Sequence, residues 1–201
     1  MKGVVAFGHD EIESIIVAHM ATWSKSDLSV QLGEGFLRHF YRRAVDDPDT
    51  LALAAPSRTG DGLACWCLGF RRYDAFNEAL KRDMGWSLHL LIARRLLTGR
   101  LSIGRVLDQL RGSDLNRSAD CPDNHLGAFG RLGGAFEDVM LLTELIGHTA
   151  AELCRDLPAC WAVTDDRNRG AKTVMQSAGF SEIDRLLQRD RTMVVYEFSR
   201  P

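Results

Sequence analysis

The chain has 201 residues, 45 % of them apolar and 26 % charged, with a formal net charge of −2. That composition suits one soluble domain with a core of its own and excludes disordered, collagen-like and fibrous classes. With 25 basic against 27 acidic side chains there is no global pull toward nucleic acid or an anionic membrane.

The apolar run 3–7 predicts a short first strand. Asp10 stands where it can cap a helix in which Ile12, Ile15, Ile16 and His19 recur at helical spacing. Residues 27–31 read as a polar connection. A second helix over 32–45 carries the stripe Leu32, Phe36, Leu37, Phe40 and Tyr41 and is closed by Asp46-Asp47-Pro48. Residues 50–55 and 63–70 read as strands joined by the turn 57–62, an antiparallel hairpin. Residues 71–112 change character, predicting two or three short helices with breaks near Gly85, Gly99 and Gly112. They carry nine basic side chains against four acidic ones, a local charge of +5 in a chain of −2. A polar loop, 113–124, follows.

Residues 125–129 predict a central strand. Gly130-Arg131-Leu132-Gly133-Gly134 then leads into a helix over 135–156 with Phe136, Met140, Leu141, Ile146 and Leu153 as its buried stripe. A buried strand over 160–164, a helix over 168–178 stopped by Gly179, and a closing hairpin of 180–188 and 192–198 complete the chain. The order is β α α β β, a helical insert, then β α β α β β: a mixed α/β fold in a single domain, 1–201. No run approaches the ~20 apolar residues of a membrane span. Acidic side chains enter the N-terminus before any signal-type apolar segment, so a cytoplasmic location is expected.

Five cysteines (65, 67, 121, 154 and 160) without a CxxC pair or a secretion signal predict reduced, buried thiols. Cys65 and Cys67 share a strand face. No two histidines are spaced as HxxxH or HExxH, and no metal is expected.

The segment Val163-Thr164-Asp165-Asp166-Arg167-Asn168-Arg169-Gly170-Ala171-Lys172-Thr173-Val174-Met175-Gln176-Ser177-Ala178-Gly179-Phe180 resembles the last βα unit of GNAT-type N-acyltransferases, a strand followed by N-x-x-A-x-x-x-Y-x-x-x-G-F. Asn168, Ala171, Gly179 and Phe180 fall at matching positions. The element order is similar to that superfamily along most of the chain, and Leu32-Gly33-Glu34-Gly35-Phe36-Leu37-Arg38-His39-Phe40-Tyr41 looks like the opening of some bacterial members.

The resemblance implies a GNAT-like mixed sheet of about seven strands, splayed at its middle, with helices on both faces and the basic helical insertion after the third strand. It also implies a donor, acyl-CoA or a phosphopantetheine thioester, between strands 125–129 and 160–164. The donor would touch Gly127, Phe129, Arg131, Gly133, Gly134, Ala135, Thr164, Asn168 and Ala171. Backbone N–H groups and the helix dipole at the helix start after 130–135 suit a donor phosphate. The family's loop reads [QR]-x-x-G-x-[GA]. From Arg131 the chain matches at Arg131 and Gly134, with Phe136 replacing the last small residue in a short connection.

A shortened cradle favours a donor with one phosphate, as on the arm of an acidic acyl-carrier protein. Arg94 and Arg95 would then be carrier or phosphate contacts; the other reading is that these arginines only cover the faces of short helices. Met175 stands where the family often has a Tyr that protonates the leaving thiolate, and a thioether donates no proton. Either another donor or water serves, or the thiolate leaves unprotonated.

For the general base the candidates at the start of the central strand are Asp123, Asn124 and His125. Imidazole has the unperturbed pKa for this work, and Asp123 shares its face if the strand begins that early. The other reading makes them ordinary loop residues. A backbone N–H within 127–129 would hold the oxyanion. Trp23, Phe36 and Tyr41 are walls of an acceptor pocket or core, and Trp66 and Trp86 read as core. The expected activity is acyl transfer to an amine of a small molecule, without nucleic acid or membrane. Its rivals are a thioester-binding protein without turnover and other thioester chemistry such as hydrolysis or decarboxylation.

Overall fold

The structure, a computed structural model, describes residues 3–25, 27–57, 62–99, 101, 123–133, 136–188 and 191–199. In chain order the elements are β1 (Val5–Ala6), a 3-10 turn (His9–Glu11), α1 (Ile12–Thr22), α2 (Leu28–Leu32), α3 (Glu34–Asp46), β2 (Thr50–Pro56), β3 (Leu63–Phe70) and α4 (Tyr73–Leu97). Then come β4 (His125–Arg131), α5 (Phe136–Leu153), β5 (Ala159–Asp165), α6 (Arg169–Ser177), β6 (Ser181–Gln188) and β7 (Arg191–Ser199). The strands form one seven-stranded sheet ordered β1-β2-β3-β4-β5-β7-β6. Every neighbouring pair is antiparallel except β4 and β5, which are parallel. The parallel pair is joined through α5, as a parallel connection requires a crossover.

Helices cover both faces, because the alternating side chains of β3 and β4 are apolar on each. On one face α5 and α6 pack Leu145, Ile146, Leu153 and Met175 over Cys65, Cys67, Leu126 and Tyr196. On the other, α1, α3 and the first half of α4 bring Ile15, Leu37, Tyr41 and Phe76 onto Trp66, Leu68 and Phe70. The four described cysteines are buried. Burial pushes the Cys65 and Cys67 thiols up to about 12, so they are not thiolates near neutrality. Cys121 lies outside the described residues.

Four local features differ from the sequence expectations. Residues 28–32 form α2 rather than a connection, because Asp27 caps it: its carboxylate accepts from the Ser29 N–H at 3.0 Å. Gly33, at φ +85, turns the chain from α2 into α3, and a Cβ there would overlap the Arg95 guanidinium. Over 73–97 there is one helix kinked at Gly85, where φ is +47, rather than separate short helices. Its first half buries Phe76, Leu80 and Met84, but beyond the kink Trp86, Leu90 and Leu97 are exposed, so Trp86 is not core. In α5, Met140 is half exposed, while Leu142, Leu145 and Ala150 join the buried stripe. The remainder of the basic segment, 102–112, lies outside the described residues.

Candidate active site

Parallel strands β4 and β5 share a single register pair, His125 with Trp161, and the Trp161 N–H donates to the Asn124 carbonyl at 3.1 Å. Beyond that point they separate, opening a V in the middle of the sheet. The phase of β4 decides which backbone groups face the opening. The Leu132 N–H donates to the Ala64 carbonyl at 2.8 Å, and Arg131 stands opposite Cys65. Residues 130 and 132 therefore bond to β3, and the N–H and C=O of Phe129 and Arg131 point toward the opening.

A bulge sharpens this arrangement. Cys67 faces Phe129 and Gly69 faces Leu126, so Leu68 alone opposes Gly127 and Ala128. The extra residue switches the side-chain parity of β4. Leu126 and Phe129 lie on the α5 face, whereas Ala128 lies on the α1–α3 face. Glycine is required on the strand itself: a Cβ at Gly127 would overlap the Phe70 ring, and one at Gly130 the Trp66 indole.

Of the base candidates, only His125 stands at the apex of the V. It is half-buried and stacks on Tyr73, ring centroids 4.5 Å apart, and among the described residues its ring nitrogens have no hydrogen-bond partner. Burial pushes its pKa down to about 4, so the ring is neutral at pH 7. Asn124 is fully buried, and its amide donates to the Leu153 and Ala159 carbonyls at 2.9 and 3.1 Å, tying α5 and β5 to β4. Asp123 precedes the strand and does not share its face with His125. Its carboxylate accepts from the Asp74 N–H at 2.7 Å and its carbonyl from the Tyr73 N–H, which caps α4.

Of the residues expected to touch a donor, Phe129 and Arg131 lie on the open edge of β4, Gly127 lies in its bulge, and Gly133 follows the strand. Gly134 and Ala135 lie outside the described residues. A Cβ on Gly133 would overlap the carboxylate of Asp138, a buried residue in the first turn of α5. Acidic side chains favour that position because they satisfy helix-start N–H groups, and an anion there competes with a phosphate for the same groups. Thr164 is buried on β5. Asn168 caps α6, accepting from the Ala171 N–H at 3.1 Å, so the Asn-x-x-Ala spacing here builds a helix start. Met175 is fully buried in the core beneath α6. Arg94 is exposed, and Arg95 is half-buried against Gly33.

Sequence reading did not foresee a buried polar chain reaching from α1 and α2 to β4. The Trp66 indole donates to the Tyr41 hydroxyl at 3.1 Å, so the hydroxyl proton is left for His19 Nδ1, 2.8 Å away. His19 Nε2–H then donates to Ser29 Oγ at 2.8 Å, and Ser29 donates to the Asp27 carboxylate at 2.7 Å. Burial holds the His19 pKa at about 4, consistent with a neutral ring that accepts at one nitrogen and donates at the other. Trp23 stacks on this ring, centroids 4.2 Å apart, and its indole N–H donates to the Phe129 carbonyl at 3.2 Å. The signal available in the sequence was only an Asp two positions before a Ser, and aromatics at helical spacing.

No metal-ligating cluster occurs among the described residues, and no helix among them is long and apolar enough to cross a membrane. No family model matches the chain, and no curated protein matches it in sequence. Solved structures do. An acetyltransferase of the GNAT family from Bacillus cereus ATCC 10987 superposes with a TM-score of 0.54 at 10 % identity, covering 100 % of this chain and 99 % of that one. The aminoglycoside acetyltransferase AAC(6')-Ib in complex with coenzyme A gives 0.59 at 10 % identity, covering 98 % and 94 %. The ribosomal-protein-S18-alanine N-acetyltransferase of Escherichia coli gives 0.52 at 11 %, covering 99 % and 94 %. With its single parallel pair opening at the centre of a seven-stranded sheet, the chain has the fold of the GNAT N-acetyltransferases.

Proposed function

We propose that the protein is an N-acyltransferase that moves an acyl group from a pantetheine thioester, in the first instance an acyl-CoA, to an amine of a small molecule. The observation that carries this reading is the open edge of β4: Phe129 and Arg131 turn their backbone groups into a V with no strand opposite. An unpaired strand edge is a template for an extended chain of amides, and pantetheine is such a chain.

In the reaction the neutral amine attacks the thioester carbonyl. The C–N bond forms, the oxyanion accepts from a backbone N–H on the open edge of β4, and the C–S bond then breaks with loss of the thiolate. The proton shed by the amine goes to a ring nitrogen of His125. Bond formation acidifies that N–H, so a weak base suffices. Met175 supplies no proton, and the thiolate takes one from solvent. Holding both reactants in the V contributes proximity.

The test is thiol release from acetyl-CoA with and without a panel of primary amines, aminoglycosides included. Amine-dependent release supports the reading. Release without amine makes the protein a hydrolase, and binding without release makes it a binding protein. The neighbourhood of Asp138 and Gly133 keeps a second donor in the panel, a phosphopantetheine-loaded acidic carrier, with Arg94 as its contact. His125→Ala is expected to lower kcat about 100-fold with the donor Kd unchanged.

A further inference from the structure

We propose that Trp23 is a gate on the donor site, competing with the donor's pantetheine arm for the Phe129 carbonyl. The inference rests on the acyltransferase reading above. Where β5 has diverged, the carbonyl of Phe129 faces the opening, and the group bonded to it is the Trp23 indole N–H at 3.2 Å. That carbonyl belongs to the row of edge groups that an extended amide chain would pair with, and the indole N–H stands where an amide N–H of the arm would donate.

The placement of Trp23 is built in two ways. Its ring lies on His19, 22° from parallel, and His19 is held at both nitrogens by Tyr41 and Ser29. Its backbone marks the end of α1: the Trp23 N–H still donates to the His19 carbonyl at 3.0 Å, and the chain leaves the helix beyond it. Trp23 is the residue after α1, extended at φ −81 and ψ 153, and α2 does not begin until Leu28. A fixed platform beneath the ring and a non-helical backbone above it let the indole leave the carbonyl without unravelling either helix.

Trp23→Phe separates the hydrogen bond from the stack, since phenylalanine keeps a ring over His19 and loses the N–H. The coenzyme A dissociation constant of this variant, by calorimetry, is expected to fall two- to tenfold relative to the wild type, the range for release of one competing hydrogen bond. In the wild type the Trp23 indole N–H resonance, identified by its absence in the variant, is expected to shift upfield on saturation with coenzyme A as its acceptor is taken. An unchanged or weaker affinity in the variant, or an indole resonance that stays put while coenzyme A binds, overturns the gate and leaves the acyltransferase reading standing. If coenzyme A binds neither protein, the donor assignment falls and the gate with it.

Discussion

Tyr41 is where the polar chain beneath the opening is most exposed to a single change. Its hydroxyl both accepts from the Trp66 indole and faces His19 Nδ1, and the residue is completely buried. Tyr41→Phe strips both groups of their partner at once, and neither can reach water. Each unsatisfied buried group costs about 1–3 kcal/mol. The expected destabilisation is therefore about 2–6 kcal/mol, read as a lower urea midpoint at unchanged m-value. A loss under ~0.5 kcal/mol would mean that water replaces the hydroxyl. Nothing in the sequence joins these residues. Tyr41 sits in a helical apolar stripe and reads equally as core or pocket wall, and Trp23 lies 106 positions from the carbonyl that it bonds.

Among the elements, β4 has the tightest requirements. Its bulge at Gly127 and Ala128 and its glycine at 130 let the strand pass flat beneath Phe70 and Trp66 while still turning Phe129 and Arg131 outward. Gly130→Ala places a methyl against the fully buried Trp66 indole, and overpacking of that kind typically costs about 1–3 kcal/mol. The strain bears on the open edge, so weaker coenzyme A binding should accompany the lost stability. Equal stability and affinity in the variant would show that the strand has slack.

The existence of β4 was legible from its apolar run and the glycines after it, and the βα unit from β5 to α6 from Asn168, Gly179 and Phe180. The bulge was not, because it exists only in the register against β3. The two readings of Asp123 could not be separated for a similar reason: its place is decided by where the strand starts and by α4, whose first N–H groups it satisfies. The five residues of α2 are too few for a periodic signal, and only the Asp27 cap marks them.

At the scale of the whole molecule, two neutral imidazoles are built into the α1–α3–α4 side of the sheet. His19 and His125 both have pKa values pushed down by burial to about 4 from 6.5. The unfolded chain therefore binds more protons than the native one between those values, and stability rises with pH across that window. It is fully present above pH 6.5 and is lost as pH falls toward 4. The shift at His19, which is 1 % exposed, corresponds to roughly 3 kcal/mol. Urea unfolding at pH 7.5, 6, 5 and 4.5 should show that decline, and His19→Gln should roughly halve it, leaving the part that His125 contributes. A flat profile in the wild type would contradict the assignment of both rings as neutral.

The central claim is that the V between β4 and β5 takes a pantetheine arm on the open edge of β4. Residue-resolved amide hydrogen exchange with and without coenzyme A tests it most directly. The account predicts that the Phe129 and Arg131 amides, which face the opening, slow on binding, while those of Gly130 and Leu132, already bonded to β3, change little. Binding that leaves the exchange of Phe129 and Arg131 untouched would contradict it.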